Sequence, residues 1–209
     1  MPVTLNNKRL AEAANAVATL DEDMARILAA HGVPPMWARE PGFITLLRII
    51  LEQQVSLASA DAMYRRLTNN LDLLTPYTVL AAGEPFLRSL GITRQKAAYF
   101  INIAEAIKNG NLDLEAMDNE SDDSVIEKLT SISGIGPWTA NIYLLMALRR
   151  PDVWPVGDIA LATAVKNLKD WPVRPTQPEL TEIAKTWHPH RATAARMLWH
   201  YYLTQIKRT

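Results

Sequence analysis

The hydrophobic positions of this chain fall almost everywhere at helical spacing. Phe43, Leu46, Leu47, Ile50 and Leu51 follow an i, i+3, i+4, i+7, i+8 pattern, which places them on one face of a core-facing helix. Comparable stripes run through residues 24–30, 60–67, 97–107, 125–132, 140–148, 159–168, 180–187 and 192–206. No segment alternates strictly between apolar and polar positions, and residues 152–156 are extended at most. Glycine and proline punctuate the stripes at Gly32 with Pro34 and Pro35, at Pro41-Gly42, Pro76, Gly83 with Pro85, Gly91, Gly110, Pro151 and Pro155, and from Pro172 to Pro178. Ser121 followed by Asp122 and Asp123 reads as an N-cap with acids in the first turn. The pattern predicts an all-α chain of about nine or ten helices joined by short loops.

At 209 residues the chain can form one large domain or two small lobes around a substantial core. Its 48% hydrophobic and 21% charged residues fit a globular protein rather than a disordered one. No run approaches the ~18 apolar residues needed to span a bilayer, and the N-terminus lacks the regions of a secretory signal. A cytoplasmic location is expected, or a nuclear one in a eukaryote, with no membrane partner. The absence of cysteine excludes disulfides, cysteine-ligated zinc, iron–sulfur clusters and thiol catalysis. Lys+Arg and Asp+Glu are equal at 22 each, below the basic balance often seen in DNA-binding domains. Local distribution governs the field at a groove, however. Acids gather at 21–23 and 113–127; basic residues gather at Arg94/Lys96, Arg149/Arg150, Lys166/Lys169 and Arg191/Arg196. The balance lowers the affinity expected for a nucleic acid without excluding one.

Residues 129–146, LTSISGIGPWTANIYLLM, read as the end of one helix, a tight hairpin and a second helix; Val156-Gly157-Asp158 then opens a third. Gly134 and Gly136 permit positive φ and close backbone approach, and Pro137 pre-sets the next helix. Hairpin amides beside a helix N-terminus form a natural phosphate seat. A phosphate seat upstream of one placed carboxylate points to an enzyme acting on a nucleic acid backbone.

These residues resemble the helix–hairpin–helix/Gly-Pro-Asp superfamily of DNA glycosylases, and are most similar to its alkylbase branch, 3-methyladenine DNA glycosylase II. The resemblance is carried by residues 133–140 (SGIGPWTA), by Val156-Gly157-Asp158, by residues 43–59 (FITLLRIILEQQVSLAS), by residues 187–191 (WHPHR) and by Leu198-Trp199. It spans roughly residues 20–205. It implies two helical lobes, one about 40–125 and the other about 1–39 with 126–209, a DNA groove between them, and helix–hairpin–helix residues about 122–149. The additional N-terminal β domain of the branch is expected to be lacking.

What the resemblance implies for the site begins with Asp158 as the catalytic carboxylate. An aspartate there is also an excellent helix N-cap, and the two roles are compatible. Breaking an N-glycosidic bond leaves positive charge on C1′, which a fixed anion stabilises, and the same group can orient or deprotonate water. Bifunctional relatives carry a hairpin lysine that attacks the sugar; Trp138 stands there, implying a monofunctional enzyme that leaves an abasic site. Trp138 and Trp199 match aromatic walls of a pocket where a cationic methylpurine gains ~0.5–2 kcal/mol from indole, although core packing would also suit either. Ile142 stands where the branch has a base-facing tyrosine, and Tyr143 points about 100° around the helix.

Gln54 matches the side chain that fills the gap left by base flipping, with Gln53 and Ser56 on the same DNA-facing turn; a solvated helix end is the plainer alternative. Gly134, Ile135, Gly136 and Thr139 match the phosphate contact, which fixes register without reading sequence. The backbone carbonyls of Thr130, Ile132 and Ile135 match ligands of a monovalent cation, Na+ or K+. No organic cofactor is implied. The expected partner is double-stranded DNA containing damaged bases, bound by a monomer. His31, His188, His190 and His200 show no metal-site spacing, and Arg191 fits a structural or a DNA-facing role equally. A glycosylase for deaminated or oxidised bases and a non-catalytic helix–hairpin–helix module remain the alternatives; only an enzyme needs the acid at 158.

Overall fold

The computed structural model describes residues 2–206, which contain helices and no strand. In chain order the α-helices are α1 (Asn7–Leu20), α2 (Glu22–His31), α3 (Phe43–Glu52), α4 (Leu57–Asn70), α5 (Pro76–Ser89), α6 (Arg94–Lys108), α7 (Asp122–Thr130), α8 (Pro137–Met146), α9 (Ile159–Leu168), α10 (Gln177–Lys185) and α11 (Arg191–Ile206). A 3₁₀ turn, Ala116–Asn119, precedes α7. The all-α expectation holds, with eleven α-helices among the described residues. None is long and apolar enough to cross a membrane.

Two of the eleven, α1 and α5, lie outside the nine stripes, and α5 is a segment that its sequence punctuation divides. α5 runs through Gly83, which takes φ 72° and ψ 169°, and Pro85. Glycine supplies the left-handed residue and proline restarts the helix, so the break becomes a kink rather than an end.

Two compact units make up the chain. Among the described residues, one comprises Pro2 and Arg39–Tyr143; the other comprises Val3–Ala38 together with residues 144–206. The division therefore falls inside α8 and not near residue 125. α7 and the hairpin belong with α6: Asn102 on α6 donates to the Ser133 carbonyl at 3.3 Å, and the Tyr99 ring lies against Gly134.

In the first unit α3 packs against α4 and α6, and α5 against α6. Phe43, Thr45, Leu46, Leu47, Ile49, Ile50 and Leu51 are all buried, so α3 is covered around most of its circumference rather than along one stripe. Burying each such aliphatic side chain contributes about 1.5–3 kcal/mol. Tyr143 is buried, and its hydroxyl oxygen accepts the Gly42 N–H at 2.9 Å, tying the start of α3 to α8.

In the second unit α11 packs against α1, α2, α9 and α10. Its buried Ala192, Ala194 and Ala195 allow close helix approach, while Met197 and Leu198 fill the core. α1 supplies Leu10, Ala13, Ala14 and Val17 at i, i+3, i+4, i+7. Asp21 caps α2 and accepts the Trp187 indole N–H at 3.1 Å.

Candidate active site

Each half of the expected machinery is built inside one unit. In the first, α7 closes at Thr130 and the chain turns through Ser131–Gly136 into α8. Ile132 N–H bonds to Leu129 O at 3.1 Å and Ile135 N–H to Ile132 O at 3.0 Å. Gly134 sits at φ 106°, and a Cβ there would run into the Tyr99 ring. Glycine is therefore required at 134 on two counts. Gly136 differs: its φ lies outside the left-handed region and a Cβ would meet nothing within 4 Å. The expectation of positive φ at 136 is corrected, and its lack of side chain leaves an open surface beside the N-terminus of α8. Ile135 is buried, and its N–H is spent on the Ile132 carbonyl.

The turn after α3 is secured from two sides. The buried Lys96 Nζ donates to Leu51 O at 2.7 Å and Gln53 O at 2.8 Å. Burial pushes its pKa below the ordinary lysine value, while the two carbonyls hold the charge. Gln53 Nε2 donates to Thr139 Oγ1 at 2.9 Å and to Gly134 O at 3.3 Å. These bonds join the turn to the hairpin, and Thr139 is only 1% exposed. Ser56 is likewise a helix cap, its Oγ accepting from Ser59 N–H at 3.2 Å. Gln54 is left exposed at φ 56°, a left-handed conformation uncommon for glutamine. Sequence reasoning missed Lys96, because nothing in a helical pattern announces that a lysine will cap another helix.

On α8, Trp138 is half-buried at the first turn. Ile142, one turn further on, is 2% exposed.

In the second unit Asp158 is the N-cap of α9 and 8% exposed. Its Oδ1 accepts the Leu161 N–H at 2.9 Å and the Trp199 indole N–H at 3.3 Å. Gly157, at φ 90°, donates its N–H to Gln177 Oε1 at 2.7 Å. A helix N-terminus and an indole donor thereby hold one carboxylate in place. Val156 and Ile159, which flank this loop, expose apolar side chains.

Trp199 lies edge-on to Trp37, with ring centroids 6.3 Å apart and planes at 72°. Trp37 was not legible in the sequence as a site residue. Arg191 is structural: its Nε and Nη2 reach Asp152 Oδ1 and Oδ2 at 3.0 and 2.8 Å, and His188 Nδ1 lies 2.7 Å from Oδ2. No group of three His, Asp or Glu residues suited to a metal occurs among the described residues.

A glycine-pinned hairpin between helices and a carboxylate capping the next helix are the parts of a helix–hairpin–helix glycosylase. Residues 47–190 match the family model described as HhH-GPD superfamily base excision DNA repair protein. The chain belongs to that superfamily. It is 30% identical over 188 residues to DNA-3-methyladenine glycosylase 1 of Schizosaccharomyces pombe, covering 86% of this chain and 82% of that protein. It is also 30% identical over 162 residues to a DNA-3-methyladenine glycosylase of Bacillus subtilis, covering 72% of this chain and 54% of that one. Among solved structures, the S. pombe 3-methyladenine DNA glycosylase in complex with abasic DNA matches with a TM-score of 0.84 at 28% identity, covering 90% of this chain and 95% of that one. The chain spans between 54% and 82% of the length of the first curated relatives it matches.

Proposed function

We propose that the protein is a monofunctional DNA glycosylase of base excision repair that flips alkylated purines out of duplex DNA and hydrolyses their N-glycosidic bond, leaving an abasic site. The observation that carries this reading is the Asp158 carboxylate, held on Oδ1 by the α9 N-terminus and by Trp199. As the bond to the base breaks, positive charge grows on C1′ of the sugar. A preorganised anion lowers the energy of that state without reorienting. The same carboxylate orients the water that adds to C1′ and takes its proton, while the base leaves with the bonding electron pair. A purine methylated at N3 or N7 is already cationic and leaves as a neutral molecule, so little general-acid help is needed.

The hairpin of the first unit supports the DNA-binding half of the reading. A phosphate on the open surface at Gly136 would meet amides and the positive end of α8. Gln54, projecting from a turn secured by Lys96 and Gln53, would enter the space vacated by the base and offset part of the few kcal/mol that flipping costs. Thr130, Ile132 and Ile135 lie at and just past the C-terminal end of α7, where carbonyls lack intrahelical partners and the dipole is negative. The Ile132 carbonyl retains acceptor capacity after its bond from Ile135 N–H. This donor set suits a monovalent cation, which would add positive charge beneath the phosphate.

The lack of a lyase step follows from Trp138, which puts indole where a nucleophilic amine would be needed. Lys96, the buried lysine of the same unit, has its Nζ engaged by two carbonyls. The test is incubation with duplexes carrying 3-methyladenine, 7-methylguanine, 1,N6-ethenoadenine or hypoxanthine. Base release is expected with strand breaks only after alkali, and no covalent adduct on borohydride trapping. A trapped adduct would overturn the mechanism, and no release from any of the four would overturn the function.

A further inference from the structure

A bulky residue held in a left-handed backbone conformation beside the indole that bonds the proposed catalytic carboxylate calls for a cause. Trp37 has φ 48°, a region that bulky L-residues rarely occupy. Such conformations persist only where surrounding structure over-determines them, and they gather at functional sites. Here the constraint is visible. Arg196 is fully buried, and its Nε donates to the Met36 carbonyl at 2.9 Å, immediately before Trp37. The same guanidinium reaches Ala192 O at 3.0 Å and Leu145 O at 2.6 Å. Pro34 and Pro35 stiffen the approach. One arginine thus nails the segment carrying Trp37 to the helix that carries Trp199.

The ring then lies edge-on to two successive side chains of α11. Its centroid is 6.3 Å from Trp199 at 72° and 6.4 Å from His200 at 82°, distances at which edge-to-face aromatic pairs attract. The Trp199 indole N–H reaches Asp158 Oδ1 at 3.3 Å. That is beyond the usual 2.7–3.2 Å range, so a shift of a few tenths of an ångström would break it. A long hydrogen bond of this kind needs its donor ring held from behind.

We infer that Trp37 is a positioning residue for base excision: it fixes the Trp199 indole, through which it keeps the Asp158 carboxylate in its working orientation. Trp37 itself touches no reacting atom in this account. The inference rests on the glycosylase reading for its rate consequences, but the positioning of the indole can be measured without any activity.

The experiment compares wild type, Trp37→Ala, Trp37→Phe, Trp199→Phe and the Trp37→Ala/Trp199→Phe double variant in single-turnover release of 7-methylguanine from duplex DNA. Trp37→Ala is expected to slow release by about tenfold, the scale of a small misplacement of a catalytic group, and Trp37→Phe, which keeps an aromatic edge, to stay within about twofold. Affinity for abasic-site DNA should be unchanged in both. In the Trp199→Phe background the Trp37→Ala change should have no further effect, because residues acting in series are not additive. Independently of activity, solvent exchange of the Trp199 indole N–H, followed by NMR on 15N-tryptophan protein, should be slow in wild type and Trp37→Phe and faster in Trp37→Ala. Multiplicative rate effects, or an unchanged indole exchange in a folded Trp37→Ala protein, would overturn the inference. Protected exchange in a wild type that releases no base would instead count against the glycosylase reading and leave the positioning role standing.

Discussion

At the scale of single residues, side chains that look like surface chemistry are often spent on holding the chain. Tyr143 is the clearest case. Burial raises its pKa to about 12, and the negative charge of Asp118 adds to the rise, against the favourable bond from Gly42 N–H. An unfolded tyrosine ionises near pH 10. The folded pKa is the higher, so this group's stabilisation is complete below about pH 10 and is lost as pH rises towards 12, by about 1.4 kcal/mol per unit. Urea unfolding of wild type should therefore show stability falling over that window more steeply than in Tyr143→Phe. At neutral pH the variant should be about 1–3 kcal/mol less stable, because the Gly42 N–H loses its acceptor. Parallel pH profiles would show that Tyr143 is not sealed from solvent. Gln53, Thr139 and Ser56 teach the same lesson. They bond partners distant in sequence or cap a helix, and polar identity does not reveal which partner a side chain takes.

At the scale of elements, what is local was legible and what is tertiary was not. The stripe from Phe43 to Leu51, the Ser121 cap and the Asp158 cap follow from spacing and capping chemistry, and the structure contains each. α5 was obscured because Gly83 and Pro85 read as an end where they make a kink. The role of Lys96 depends on α6 lying beside the last turn of α3, which no periodicity encodes. Trp37 sits between helices, outside any repeat, and only Arg196 and Trp199 give it meaning.

The hairpin was read correctly as glycine-pinned, but its two glycines do different work, and a pair of variants separates them. Gly134→Ala should destabilise the protein by about 2 kcal/mol or more, from the left-handed φ and the Tyr99 clash together. Gly136→Leu should change stability by only about 0.5 kcal/mol while weakening binding to abasic-site DNA. Thermal unfolding and fluorescence anisotropy read the two effects. Equal destabilisation, or unaffected DNA binding in Gly136→Leu, would mean that the hairpin is a plain connection between helices.

At the scale of the whole molecule, a formal net charge of zero sets how the protein meets a polyanion. With no net positive charge, few phosphates are expected to be neutralised by Lys or Arg, so the salt dependence of DNA binding should be shallow, each ionic contact contributing about 0.9 to the slope of log K against log salt. Under the proposed reading, amide contacts at the hairpin would add affinity with little counterion release. The first unit contains the hairpin and the turn with Gln54, and the second contains Asp158 with its indole partner. The proposed mechanism depends on that carboxylate acting as an anion. Asp158→Asn retains a capping side chain and an oxygen to accept from Leu161 N–H and the Trp199 indole, but removes the charge. Single-turnover release of 7-methylguanine, measured alongside affinity for abasic-site DNA, isolates that charge. The variant is expected to fold and bind as wild type while excision falls by at least about 10²–10³. Release near the wild-type rate from the folded, DNA-binding variant would contradict the assignment of Asp158, and with it the mechanism.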